Sequence, residues 1–139
     1  MKNKLLAGLA GSLVLNILHE VIRHNDSGSP RINEVGEEGL NKSLQSMNLQ
    51  PIENEQKLYM ATLAGDVISN TLYYALTATK NGAISGALAG VGAVYLPAKL
   101  GLNDEPVAST NKKKMMTMGY YLIGGIVTSL VYKKIKNEN

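Results

Sequence analysis

The 139-residue sequence predicts an all-α protein: a four-helix transmembrane bundle with an extramembrane loop between the first and second spans. Three observations lead there. The apolar residues are gathered into blocks with the charges almost entirely between them, and residues 83–98 and 115–132 hold no charged side chain. Charge-free runs of about 18 residues are what a helix needs to cross a hydrocarbon layer roughly 30 Å thick. All four prolines lie in loops or at a span end, so backbone hydrogen bonding inside each span is preserved. Every tyrosine falls inside or at the edge of a span, and Tyr59, Tyr95, Tyr120, Tyr121 and Tyr132 sit near ends, where an amphipathic ring favours the headgroup zone.

The chain reads as one membrane domain over residues 1–139. Its first span, 5–22, follows Lys2 and Lys4 and turns polar at Asn16, His19 and Glu20. No small-x-small cleavage pattern follows the apolar run, so we read an uncleaved helix rather than a signal peptide. Residues 25–54 are rich in Gly, Ser, Asn and Glu and form the extramembrane loop. Within it Leu40, Leu44 and Met47 recur at helical spacing, which predicts a short amphipathic helix over 36–47, lying on the bilayer or covering one end of the bundle. The second span, 58–79, is the least apolar, since it carries Asp66 and Asn70. A tight turn at Lys80-Asn81-Gly82 then leads, as an antiparallel hairpin, into the third span, 83–102, which ends or kinks at Pro97. The cluster Ser109-Thr110-Asn111 supplies a cap for the fourth span, 115–132. The alternative is a soluble bundle with unusually apolar helices.

Composition excludes several classes. There is no cysteine, hence no disulfide framework, thiolate metal site or cysteine nucleophile. The net charge of +3 comes mainly from clusters beside apolar blocks: Lys2 and Lys4, Lys112 to Lys114, and Lys133, Lys134 and Lys136. Such clusters meet lipid headgroups rather than nucleic acid. Orientation stays open, because lysines and arginines near span ends count six on each side. Both termini on the cytoplasmic side is the default we adopt.

Four constellations could carry function. Gly82, Gly86 and Gly90 lie four apart and form a bare stripe on one helix face, which lets another backbone approach closely. We read this glycine zipper as packing within one bundle, with Gly124 and Gly125 as its partner surface; the alternative is a homo-oligomeric contact lining a pore. Asn16, His19, Glu20 and Arg23 share one face of the first span, and Asp66, Asn70, Tyr73 and Thr77 share one face of the second. A carboxylate in hydrocarbon must be protonated, paired or hydrated, so these two faces are expected to meet. The meeting would be either a structural clamp or a proton relay, ligand pocket or acid–base site. His19 and His24 are five apart, the wrong spacing for the four-residue zinc-protease pair, so no metal, cofactor or catalytic set is expected.

The loop Ser29-Pro30-Arg31, the stretch Leu63-Ala64-Gly65-Asp66 with Ser69-Asn70 and Tyr73-Tyr74, and the runs Gly92-Ala93-Val94-Tyr95-Leu96-Pro97 and Tyr121-Leu122-Ile123-Gly124-Gly125 together resemble small uncharacterised bacterial membrane proteins. The resemblance implies a bacterial inner-membrane location and no particular chemistry. Three functions follow as expectations. The first is a structural or accessory subunit of a membrane complex, not an enzyme. The second is a homo-oligomeric channel or small transporter using the glycine-rich helix and Asp66, and the third a lipid-modifying membrane enzyme. The expected partners are the bilayer itself and either a second copy or another membrane protein.

Overall fold

Three of the four long helices begin where a side chain can accept a hydrogen bond from an otherwise unpaired amide of the first turn. Asn54 caps one through Lys57 N, Asn81 another through Ile84 N, and Thr110 a third through Lys113 N. In the computed structural model, which describes residues 1–138, the elements run α1 (Lys2–Asn25), α2 (Ile32–Ser46), α3 (Glu55–Thr77), α4 (Gly82–Lys99), α5 (Glu105–Ala108) and α6 (Asn111–Asn137). The fold is all-α, with no strand among the described residues. Two helix ends use the left-handed backbone that stops a helix cleanly. Asn48 (φ 59°) follows α2 and Gly101 (φ 77°) follows α4. In each case the next amide reaches back to the helix, Leu49 N to Leu44 O and Leu102 N to Pro97 O.

Three departures from the expected arrangement bear on the site. The cap helix starts at Ile32 rather than 36, because Ile32 is drawn against the bundle core and its amide is bonded by His19. α4 runs straight through Pro97 and stops at Lys99, short of 102. Pro97 falls in the last turn, where only its missing bond to the Ala93 carbonyl is lost. Third, only α1 and α6 are long and apolar enough to cross a membrane by length and composition. α3 and α4 fall outside that pair; α3 carries Lys57, Asp66 and Asn70.

The four long helices alternate in direction and pack in the order α3, α1, α6, α4. Small residues set each contact. Gly8 of α1 lies against Thr71 and Ala75 of α3, and Gly11 against Gly124 and Thr128 of α6. Gly82, Gly86 and Gly90 of α4 lie against Gly125, Tyr121–Leu122 and Met118 of α6 in turn. α3 and α4 are joined by a short turn yet touch little. They are linked near that turn, where the Tyr73 hydroxyl donates to Ser85 O at 2.7 Å, and a cleft is left open between them.

Small and polar residues share the interior with Leu15, Tyr74, Val94 and Tyr120, while many large apolar side chains lie on the outside. Ser12, Thr117 and Thr128 are 0% exposed, whereas Leu76 is 67% exposed. Leu6, Leu9, Leu13, Ile17 and Val21 form an exposed apolar stripe on α1, and Ile68 and Leu72 continue it on α3, Ile84 and Leu88 on α4, and Ile126 and Leu130 on α6. Four of the buried hydroxyls and amides turn to backbone carbonyls: Ser12 Oγ to Val67 O, Asn16 Nδ2 to Ser12 O, Tyr74 OH to Tyr121 O, and Thr128 Oγ1 to Gly124 O, whereas the hydroxyls of Thr62, Thr71, Ser85, Thr117 and Tyr120 have no partner among the described residues.

The glycines separate into two groups with opposite expected responses. A Cβ at Gly86 would stand 2.7 Å from Tyr121 O, and at Gly82 it would collide with Gly125. Gly86→Val and Gly82→Val are each expected to lower stability by about 1–3 kcal/mol or more, as overpacking does. Gly65 and Gly119 are helical with nothing within 4 Å. Gly65→Ala and Gly119→Ala are expected to raise stability by about 0.5–1 kcal/mol. Thermal melts of the purified variants in one detergent check both signs.

Candidate functional site

Because α4 packs on α6 and α3 packs on α1, the space between α3 and α4 is filled by neither. It forms a cavity of about 530 Å³ whose walls are mostly apolar, among them Leu88, Leu96 and Leu100. The polar groups come from one helix face: Asp66, Ser69, Asn70 and Tyr73 of α3, with Tyr121 of α6 at the back. α2 roofs the cavity through Ile32, Val35, Gly36 and Gly39. Gly36 allows this roof to sit low. A Cβ there would stand 2.7 Å from Thr62 Cγ2 and 3.6 Å from the Asp66 carboxylate.

Two of the polar side chains beside Asp66 are committed elsewhere: Ser69 Oγ donates to the backbone Asp66 O, and Tyr73 OH donates to Ser85 O. No lysine or arginine lines the cavity, and the Asp66 carboxylate has no hydrogen bond or ion pair among the described residues.

The expected meeting of the α1 and α3 polar faces does not occur. α3 turns Tyr59, Val67, Thr71 and Ala75 toward α1, which carries Asp66, about 100° around the helix from Val67, toward α2 and α4 instead. The α1 residues serve the junction with the cap. Asn16 bonds its own helix at Ser12 O. His19 Nε2 accepts from Ile32 N at 3.1 Å, and the ring meets Tyr120 edge-on with centroids 6.2 Å apart. Accepting at Nε2 puts the ring proton of the neutral form on Nδ1, which is 3.5 Å from Glu20 Oε1. Glu20 is paired with Arg23 at 3.0 Å, and that guanidinium lies 5.7 Å from the Tyr59 ring centroid.

The glycines divide between two partners. Gly82, Gly86 and Gly90 face α6, where Gly125 is the bare counterpart. Gly124, one residue away, faces Gly11 of α1 and Tyr74 of α3 instead. The contribution of α2 to the cavity was missed from sequence. Its signal was present, since Ile32, Val35, Gly36 and Gly39 fall at i, i+3, i+4 and i+7.

Two ion pairs lie near the cap, one where α1 ends beside the start of α6 and one within α2. Asp26 Oδ2 lies 2.7 Å from Lys112 Nζ, and Asp26 Oδ1 accepts from Gly28 N. Glu38 pairs with Lys42 at 2.9 Å and accepts from Asn103 N. Lys112 above all holds the Asp26 carboxyl below the usual range, and Lys42 does the same for Glu38. A carboxyl depressed in the folded state stabilises above its ordinary value, and that contribution is lost as pH falls through the depressed one. The melting-temperature gap between wild type and Asp26→Asn/Glu38→Gln is therefore expected to be present near pH ~6 and to close near pH ~3, on either side of the ordinary carboxyl range. His19→Ala leaves Ile32 N without its partner and is expected to cost about 1–3 kcal/mol, with faster amide exchange confined to the start of α2.

No family model, curated protein or solved structure matches this chain, and the chemistry of the cleft is read from its own residues.

Proposed function

We propose that the chain is a small integral membrane protein of a bacterial inner membrane, with all four long helices crossing the bilayer and both termini cytoplasmic, serving as a structural or accessory subunit of a membrane complex. The large apolar side chains exposed on all four long helices carry this reading. In water, such stripes of leucine and isoleucine would be unfavourable at every helix. In lipid, large apolar side chains belong outside, and small residues let helices pack. α3 has 23 residues and α4 has 18, lengths of about 34 Å and 27 Å, close to the thickness to be crossed. Asp66 fits as well, since ionisable residues in spans face a cavity rather than lipid.

The two ends of the bundle differ in free charge. The end with the termini carries Lys2, Lys4, Lys80, Lys133, Lys134 and Lys136 against the single acid Glu138, with no ion pair among the described residues. At the α2 end Arg23, Arg31, Lys42 and Lys112 are each matched to a carboxylate, and Lys57, Lys99, Lys113 and Lys114, unpaired among the described residues, are offset by the further acids Glu37, Glu53, Glu55, Asp104 and Glu105. Unmatched lysines beside spans favour an anionic cytoplasmic leaflet, and this supports the orientation.

The other two readings are less well supported. A pore between copies would need the Gly82–Gly86–Gly90 face, which α6 occupies. A lipid-modifying enzyme would need Asp66 with His19 and Glu20, yet His19 and Glu20 do not line the cavity that holds Asp66. The apolar stripes of α3 and α4 remain available to a partner subunit.

Alkaline carbonate washing of membranes tests the membrane placement. The protein is expected to stay in the pellet, and its release would remove the proposal's basis. The natural absence of cysteine allows single reporters without background. An impermeant maleimide applied to intact spheroplasts should label Ser46→Cys and spare Lys80→Cys. The reverse pattern inverts the orientation, and equal labelling of both contradicts an alternating four-span path. Mass measurement of the complex from mild detergent should find a second polypeptide; a lone chain would count against an accessory role.

A further inference from the structure

We propose that the cleft between α3 and α4 is a binding site for a cationic amphiphile, an apolar chain or ring bearing a protonated amine, with Asp66 as the counter-charge. The cavity has the size and make-up of small-molecule sites: about 530 Å³, mostly apolar walls, and few polar groups. What it lacks is as informative as what it holds. A carboxylate removed from water is costly unless a partner meets it. Ser69 and Tyr73 line the cavity with Asp66 but spend their hydroxyl protons on Asp66 O and Ser85 O, and no side chain donates to the Asp66 carboxylate among the described residues. A cation in the cavity would meet the carboxylate, and no side chain lining the cavity supplies one.

The geometry assigns each part of such a ligand a place. Its ammonium would sit under the α2 roof beside Gly36, whose missing side chain leaves the carboxylate reachable within the cavity. Tyr73 and Tyr121 border the same space, and aromatic rings attract a nearby cation. The apolar body would lie along α4 toward Leu88 and Leu96. An anionic or zwitterionic headgroup would bring negative charge beside Asp66, and an uncharged chain would leave the carboxylate unmet.

Titration calorimetry of the full-length protein in non-ionic detergent micelles tests this with octylammonium as the probe. The micelle format keeps the outcome separate from the membrane-washing result. The expectation is a saturable site, one per chain, weakened about tenfold or more by Asp66→Asn, as loss of a charge-assisted contact implies. Ala93→Leu, which fills the α4 wall, should abolish binding while helicity and elution volume stay as in the wild type. Octanol should fail to displace octylammonium at matched concentration. Undiminished binding by Asp66→Asn, equal displacement by octanol, or no saturable binding to the wild type would each overturn the assignment. A co-purifying protein helix that blocks octylammonium would overturn it too and give the cleft to that partner. Should either variant fail to fold, the octanol competition on wild-type protein still decides.

Discussion

Gly124 and Gly125 are adjacent on α6 and so point about 100° apart around its axis. That offset lets one helix bring its backbone close to two neighbours at once: Gly124 meets Gly11 of α1, and Gly125 meets Gly82 and Gly86 of α4. Close approach of this kind depends on dispersion between backbones and cannot tolerate a side chain in between. α6 becomes the centre of the bundle. α3 is left to pack on the far side of α1 through Gly8, so α3 and α4 are the pair that no glycine face draws together. The cleft between them is a consequence of where the glycines are.

An interior of glycine, serine and threonine limits how polar groups are satisfied. Helix backbones that pass so near each other offer carbonyls within reach of short hydroxyls. Ser12 takes Val67 O across the α1–α3 contact, and Tyr74 takes Tyr121 O across α3–α6. These bonds cross between helices and fix their register as well as their separation. The cap is held in another way, at the surface: Glu38 accepts from Asn103 N and Lys42 donates to Gly101 O, while Asp26 pairs with Lys112 where α1 ends beside the start of α6. His19 joins the two systems, since it is buried in the bundle and bonded to the first amide of α2. The hydroxyls of Thr62, Thr71, Ser85, Thr117 and Tyr120 are buried without a partner, and Asp66 stands in a cavity with no hydrogen bond or ion pair to its carboxylate among the described residues.

Much of the helical content was legible along the chain because its causes are local. Asn54, Asn81 and Thr110 mark helix starts, and the charge-free run 115–132 lies wholly within α6. The cap helix was legible in kind and short by one turn, since Ile32 is held by His19 thirteen residues away and no local pattern records that bond. Pro97 was read as an end or a kink, but a proline in the last turn removes a single bond and α4 continues through it. The polar residues of α3 were found, and their destination was not. Periodicity places Asp66, Asn70 and Tyr73 on one face, but which helix that face meets depends on the rotation of α3 about its axis.

The sequence by itself determined an all-α chain, the positions of its long apolar helices, the bare stripes at Gly82–Gly86–Gly90 and Gly124–Gly125, and the isolation of Asp66 in an otherwise apolar stretch. These follow from backbone capping, 3.6-residue periodicity and the absence of side chains, all of which act within a few residues. Only the tertiary structure decided that the glycine stripes meet inside one chain, that α3 and α4 part beyond their shared turn, and that α2 closes over the carboxylate. Those outcomes depend on which of several compatible faces pack together. That choice is made by the sum of contacts over the whole bundle, and no single segment encodes it.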